Sequence, residues 1–304
     1  MSRFDLIVVG HITLDLISRA GEKTREAMGG VSTYTSIAAA RLGAKVGVVS
    51  KVGDDFQREY LDSLRKAGVD LSGLSITGGG TTIFENIYDE NGKRTQRLLN
   101  CAESIECRDI PEKYFSSRCF HFGPVYHEVS YEIIRSIHEK GILTALDAQG
   151  YCRKREKDLS IKLCAWKEME NILPNVNILK CDEEEAKIMT GKSNVEAAAQ
   201  ILNDLGSEII LVTQGGKGST LCYNGKVKRI PAIPPDKIVD LTGAGDTYVA
   251  GFIVEYLRTG DPEWSALFAS GAASFVIEGL GTSTMPTREE VLRRLRRNPP
   301  RNIK

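Results

Sequence analysis

Histidine and tryptophan are scarce in this 304-residue chain, at four and two copies, and only 7% of it is aromatic. With so few imidazoles and no C-x-x-C pair, the Cys/His sets of structural zinc sites are not available. The seven cysteines (Cys101, Cys107, Cys119, Cys152, Cys164, Cys181 and Cys222) are odd in number and scattered. That argues against a disulfide framework and makes a reducing cytoplasm the default location. Net charge is absent as well. Forty basic residues balance forty acidic ones, so there is no electrostatic case for nucleic acid or a membrane surface as partner. Long apolar runs are missing too. Leu6-Ile7-Val8-Val9 has the length of a strand, too short for a signal peptide, and nothing approaches a membrane span. The length allows one large domain or two small ones with a substantial core, and there is no repeat, low-complexity segment or interdomain linker.

What the chain does have is alternation. Residues 4–10, 45–50, 119–122, 142–147, 176–180 and 208–213 are short apolar runs of strand character. Helical spacing occupies 36–43, 56–67, 131–140, 183–189, 195–205 and 262–275. Such alternation predicts an α/β fold with a mostly parallel sheet, helices on both faces, and ligands beyond the strand C-termini. Two alternating runs, 81–88 and 95–99, flank Asn91-Gly92, a strong hairpin signal. A polar-faced hairpin interrupting the alternation suggests a flap. The basic end, Arg293-Arg294-Leu295-Arg296-Arg297, follows Glu289-Glu290 and reads as a solvated terminal helix whose charges suit its dipole.

The chemistry centres on Asp240-Leu241-Thr242-Gly243-Ala244-Gly245-Asp246. A strand-like approach, Ile238-Val239, leads in and a helical run from Thr247 leads out. Small residues let the backbone approach a ligand, and the free amides of a new helix suit an anion. Asp246 adds a carboxylate where an anion is expected. A base beside an anion hole is what phosphoryl transfer to a hydroxyl needs; an N-cap aspartate after a glycine turn is the plainer alternative. Other glycine runs are weaker. Gly191-Lys192-Ser193 lacks the first glycine of a Walker loop, with Ala186 in its place. Gly215-Gly216-Lys217-Gly218 lacks dinucleotide-fold spacing and alone reads as a strand-end turn. Asp15 interrupts an apolar stretch, facing either solvent or a cleft.

The stretch 240–246 resembles the D-T-x-G-A-G-D signature of the ribokinase (PfkB-type) carbohydrate kinases, with Leu241 in the place of its first Thr. The rest of the chain resembles that family in order and spacing from about residue 5 to Pro286. The resemblance implies a single ribokinase-like αβα domain over 1–304, with a β-strand lid from about 11–30 and 81–100. It implies Asp246 as base, with Gly243, Ala244 and Gly245 as the anion hole. Thr213, Gly215 and Gly218 match the family's V-T-x-G-x-x-G nucleotide loop, joined by Thr242, Gly243 and Gly245. Glu185 matches the Glu of its N-x-x-E motif, with Asp182 for the Asn, and would serve Mg²⁺ through water. Asp240 is compatible with a monovalent cation such as K⁺. ATP is the implied co-substrate, and a homodimer through the lid is compatible with the family.

Acceptor residues follow the same way. Asp15 matches the aspartate that binds substrate hydroxyls, and Gly29-Gly30 the glycine motif G-G-x-x-x-N-x-A, with Tyr34 in its Asn position. Tyr34, the segment 147–153 with Gln149 and Arg153, and Leu179-Lys180 resemble the family's myo-inositol kinases more than its ribokinases. The favoured acceptor is therefore a cyclic polyol, myo-inositol first, ahead of a ketose or aldose sugar or a nucleoside. From another class, a non-catalytic sugar sensor on this fold would be expected to lose Asp246 or the glycines, and all are present.

Overall fold

Strands of four to eight residues, rich in Val, Ile and Leu, need cover on both faces, and this chain supplies it with helices. The computed structural model describes residues 3–19, 23–90 and 94–299. In chain order it contains β1 (Leu6–Val9), β2 (Thr13–Arg19), β3 (Arg25–Gly29), α1 (Val31–Arg41), β4 (Val46–Gly53) and α2 (Arg58–Lys66). There follow β5 (Asp70–Thr77), β6 (Thr82–Tyr88), β7 (Arg94–Asn100), β8 (Cys119–Phe122), α3 (Tyr131–Glu139), β9 (Leu143–Asp147), β10 (Arg153–Arg155) and β11 (Ile161–Leu163). The remainder is α4 (Met169–Ile172), β12 (Ile178–Asp182), α5 (Glu183–Thr190), α6 (Val195–Asp204), β13 (Ile209–Thr213), β14 (Ser219–Tyr223), β15 (Lys226–Ile230), α7 (Ala244–Thr259), α8 (Pro262–Val276) and α9 (Arg288–Arg297).

A nine-stranded sheet runs β15-β14-β13-β12-β9-β8-β1-β4-β5. It is parallel from β13 to β5 and antiparallel only where β14 and β15 close one edge. Strand alternation sends Leu6 and Val8 into one core, shared with α1, α7 and α8, and Ile7 and Val9 into the other, shared with α3 and α6. Each fully buried side chain of this kind is worth about 1.5–3 kcal/mol, so the two-sided core fixes the sheet's register. This is the αβα arrangement expected from the alternation.

A separate four-stranded sheet, β3-β2-β6-β7, comes from the segments expected to form a lid. β2 pairs antiparallel with β3 and parallel with β6, and β6 pairs antiparallel with β7. Asn91-Gly92 lies outside the described residues, though Asn86 opposite Gln96 shows the hairpin pairing around it. By alternation, Asp15, Ala27, Asn86 and Gln96 share one face of this sheet.

Three readings are corrected. Ile238-Val239 is no strand: Ile238 is 68% exposed, and the amides of Val239 and Asp240 reach Ile277 O at the end of α8. The loop is tied to a helix end, whose last carbonyl accepts its amides, and not to a neighbouring strand. The terminal helix is not merely solvated. Val291, Arg294 and Leu295 are buried, and Arg294 pairs with Glu278 at 2.7 Å and stacks over Phe275. Finally α1 begins at Val31, directly after Gly30, rather than near Ser36.

Candidate active site

Helix α7 is entered through its N-cap Gly243, whose φ of +79° is the left-handed conformation that glycine adopts without cost. Gly245 and Asp246 line a cavity of about 270 Å³, and neither of their amides has an acceptor among the described residues. A Cβ at Gly243 would stand 2.1 Å from Tyr34 Cδ1, so the buried Tyr34 ring of α1 props the turn from below. Asp246 is the third residue of the helix, not its N-cap, and its side chain makes no capping bond. The plainer reading of that aspartate therefore fails.

The carboxyl of Asp246 is pushed up to about 6, first by burial and then by Asp147 and Asp15, while Lys180 and Arg153 oppose the shift. A base with a value near neutrality is suited to taking a hydroxyl proton.

Around this turn the cavity collects residues from distant elements. Asp15 and Thr13 come from β2, Gly30 and Tyr34 from the start of α1, and Gln149 and Arg153 from beyond β9. Thr13 donates to Asp15 at 2.9 Å. Gln149 N donates to Asp147 Oδ1 at 3.1 Å, and Arg153 donates to Val125 O at 3.0 Å with its guanidinium over the Phe84 ring. Gly29 sits behind the site: a Cβ there would strike the Asp15 carboxylate at 2.4 Å. Tyr34, its hydroxyl raised above the usual tyrosine value by burial and by nearby Asp15 and Asp246, borders a second cavity as well.

The sequence marks Lys180 only through the resemblance of Leu179-Lys180, with no role for its charge. Lys180, on β12, is buried with its Nζ 2.9 Å from Asp147 Oδ2 at the end of β9. Burial alone would lower its pKa, but Asp147, Glu185 and Asp246 outweigh that and hold it above the ordinary lysine value. A Cβ at Gly245 would lie 3.1 Å from Lys180 Nζ, so a permanent cation stands beside the free amides. The available signal was a lysine inside the apolar run Ile178-Leu179-Lys180-Cys181, where only a paired charge is tolerated.

A third cavity, of about 480 Å³, adjoins the first and shares Thr213, Leu241, Ala244 and Gly245 with it. Gly215 and Gly218 line it on one side and Ile233, Pro234, Ala273 and Ile277 on the other. Thr242, by contrast, lines the first and second cavities. This apolar slot adjoins the amide turn beside Thr213.

The metal residues are placed differently from one another. Glu185 and Asp182 form a reciprocal cap at the start of α5: Asp182 N donates to Glu185 Oε2 and Glu185 N to Asp182 Oδ1, both at 2.8 Å. Glu185 is buried, lines none of the three cavities, and has its carboxyl pushed up to about 7 by burial, then by Asp182 and Asp147 against Lys180. Asp182 does line the first cavity. No cluster of three or more His, Cys, Asp or Glu residues that could hold a metal occurs among the described residues. Mg²⁺ carried on nucleotide phosphates needs only one or two carboxylates and keeps its waters, and Asp182 with Glu185 behind it fits that demand. Asp240 accepts from Thr242 N at 3.0 Å and Thr242 Oγ1 at 2.7 Å, bracing the signature loop beside the second cavity.

The pfkB family carbohydrate kinase profile matches residues 3–288. A cytidine kinase of Thermococcus kodakarensis is 31% identical over 260 residues, covering 84% of this chain and 89% of the relative. A nucleoside kinase of Methanothermobacter thermautotrophicus is 28% identical over 309 residues, covering 95% of each. Among solved structures, a pyrophosphate-dependent kinase in the ribokinase family, complexed with a pyrophosphate analog and myo-inositol, gives a TM-score of 0.79 at 24% identity over 95% of this chain and 99% of its own. Arabidopsis thaliana ribokinase complexed with ribose and ATP gives 0.80 at 22% identity, over 97% and 99%. At those identities the two structures establish the ribokinase-like fold. The phosphoryl-transfer chemistry legible in the 240–246 turn thus has a family behind it: the chain belongs to the pfkB family of carbohydrate kinases, phosphotransferases that act on an alcohol group.

Proposed function

We propose that this kinase transfers the γ-phosphoryl group of ATP to a hydroxyl of a nucleoside. The observation that carries the reading is a pair of adjoining cavities, about 270 and 220 Å³, sharing Asp15, Tyr34, Gln96 and Thr242. The first suits a hydroxylated ring between Asp15 and Asp246. The second, under the small sheet, gives a base attached to that ring somewhere to go, which myo-inositol does not need. The relatives with 31% and 28% identity, named as cytidine and nucleoside kinases, support the same acceptor class.

The chemistry follows from placement. ATP lies with its base in the apolar slot and its γ-phosphate at the amides of Gly245 and Asp246. A bare pyrophosphate donor would leave that slot unused. Asp15 accepts from ring hydroxyls and aligns the acceptor. The reacting hydroxyl attacks phosphorus, its proton passes to Asp246, and the bond to the bridging oxygen breaks to release ADP. The amides and the fixed charge of Lys180 stabilise the equatorial oxygens. Asp182, with Glu185 behind it, would hold Mg²⁺ through its waters, and the ion would supply neutralising charge on the phosphates.

A polyol acceptor is the second reading, favoured by Asp15, Gln149 and Arg153 around the first cavity alone. ADP release with cytidine, adenosine, myo-inositol, ribose and fructose separates the two. We expect a nucleoside to lead in kcat/KM by at least about tenfold, roughly 1.4 kcal/mol. A lead for myo-inositol would replace the acceptor and leave the kinase assignment intact.

A further inference from the structure

The second cavity carries a polar pair that the phosphoryl-transfer machinery does not use. Asn86 on β6 and Gln96 on β7 stand directly opposite each other, and Gln96 Nε2 donates to Asn86 Oδ1 at 2.9 Å. Asn86 is 5% exposed and lines this cavity. Each side-chain amide has two donors and an acceptor, and the mutual bond consumes one donor and one acceptor. Asn86 keeps its N–H donors and Gln96 keeps its carbonyl, and neither has another partner among the described residues. Turning both amides over exchanges their roles and still leaves a donor beside an acceptor.

The surroundings narrow the guest. Tyr34 and Tyr88 present rings to this cavity, and Ile17 and Met28 add apolar wall, while Gln96 reaches into the first cavity too. Aromatic and thioether walls favour a flat ring over a polyol, whose every edge bears hydroxyls. A flat ring with a donor and an acceptor side by side satisfies both amides at once, and a nucleobase edge has that pattern. An acceptor lacking it would leave buried amide groups unpaired, which costs more than any lost apolar contact.

We propose that the Asn86–Gln96 amide pair reads the edge of a heterocyclic base held in the second cavity, and so sets acceptor choice. This rests on the nucleoside reading above. The test is kcat/KM for cytidine against pyrimidin-2-one ribonucleoside, which lacks the exocyclic amine, in the unmodified protein, Asn86→Leu and Gln96→Leu. The ratio within each protein cancels any loss of folded enzyme. The unmodified protein is expected to prefer cytidine by at least about tenfold, and each variant to narrow that preference to within about threefold. A preference unchanged in both variants overturns the amide reading while nucleoside phosphorylation stands, and so does no preference in the unmodified protein. Turnover of myo-inositol with no nucleoside turned over at all is the separate failure of the parent reading, visible in the unmodified protein alone.

Discussion

Gly243→Ala puts the most demanding contact of the site under strain. The added methyl would start 2.1 Å from Tyr34 Cδ1, and the two must part by about 1.4 Å to reach an ordinary carbon–carbon contact of about 3.5 Å. Alanine at φ +79° also costs roughly 1–2 kcal/mol by backbone sterics. Tyr34 is 5% exposed and has little room to retreat, so most of the displacement falls on the turn. A shift of about 1 Å in a positioning group is worth roughly a hundredfold in rate. We expect kcat to fall by about that factor, with stability reduced by no more than the backbone strain. The assay is steady-state ADP release beside urea unfolding, repeated in a Tyr34→Ala background where the clash is gone. There the same glycine change should cost no more than about tenfold. A Gly243→Ala enzyme that stays folded with kcat within about threefold of its parent would refute the reasoning.

The remaining predictions follow the charges. Asp246→Asn should lower turnover by roughly a hundredfold or more while nucleotide binding, read by calorimetry, persists. Because the base works deprotonated and is raised to about 6, kcat/KM should rise with pH through about 6 and lose that limb in the Asn variant. Lys180→Met removes a charge that lowers the Asp246 pKa, so the acid limb should move to higher pH. It also strands Asp147, and urea unfolding should show a loss of about 3–5 kcal/mol that Lys180→Met/Asp147→Leu largely restores without restoring rate. Hydrogen exchange across β6 and β7 should slow more on adding acceptor than on adding nucleotide, as expected of a sheet that closes over the acceptor; equal protection by both would assign it another role.

Some of this protein is local and therefore readable in order along the chain. Most of the strand and helix periodicity and the glycine turn at 243–245 depend on neighbours a few residues away, and they stand where the residues imply, Ile238-Val239 and the start of α1 excepted. So does the pairing of β6 with β7, because alternation and a short connection set register locally. The edge strand β15, and β3 beside β2, are less visible, since strands open to solvent carry exposed charges such as Lys226, Arg229 and Arg25 that mask their period. Other features exist only through packing. Lys180 becomes a fixed cation because the parallel register of β9 and β12 sets it against Asp147, residues apart in sequence but paired across the sheet. Glu185 turns to cap α5 instead of facing the cavity, a choice made by helix geometry and burial together. Residue type and spacing thus determine which chemistry the chain can perform. The tertiary structure decides which groups hold a charge, which face a cavity and how large a guest it admits, because burial and distance across elements set electrostatics and shape.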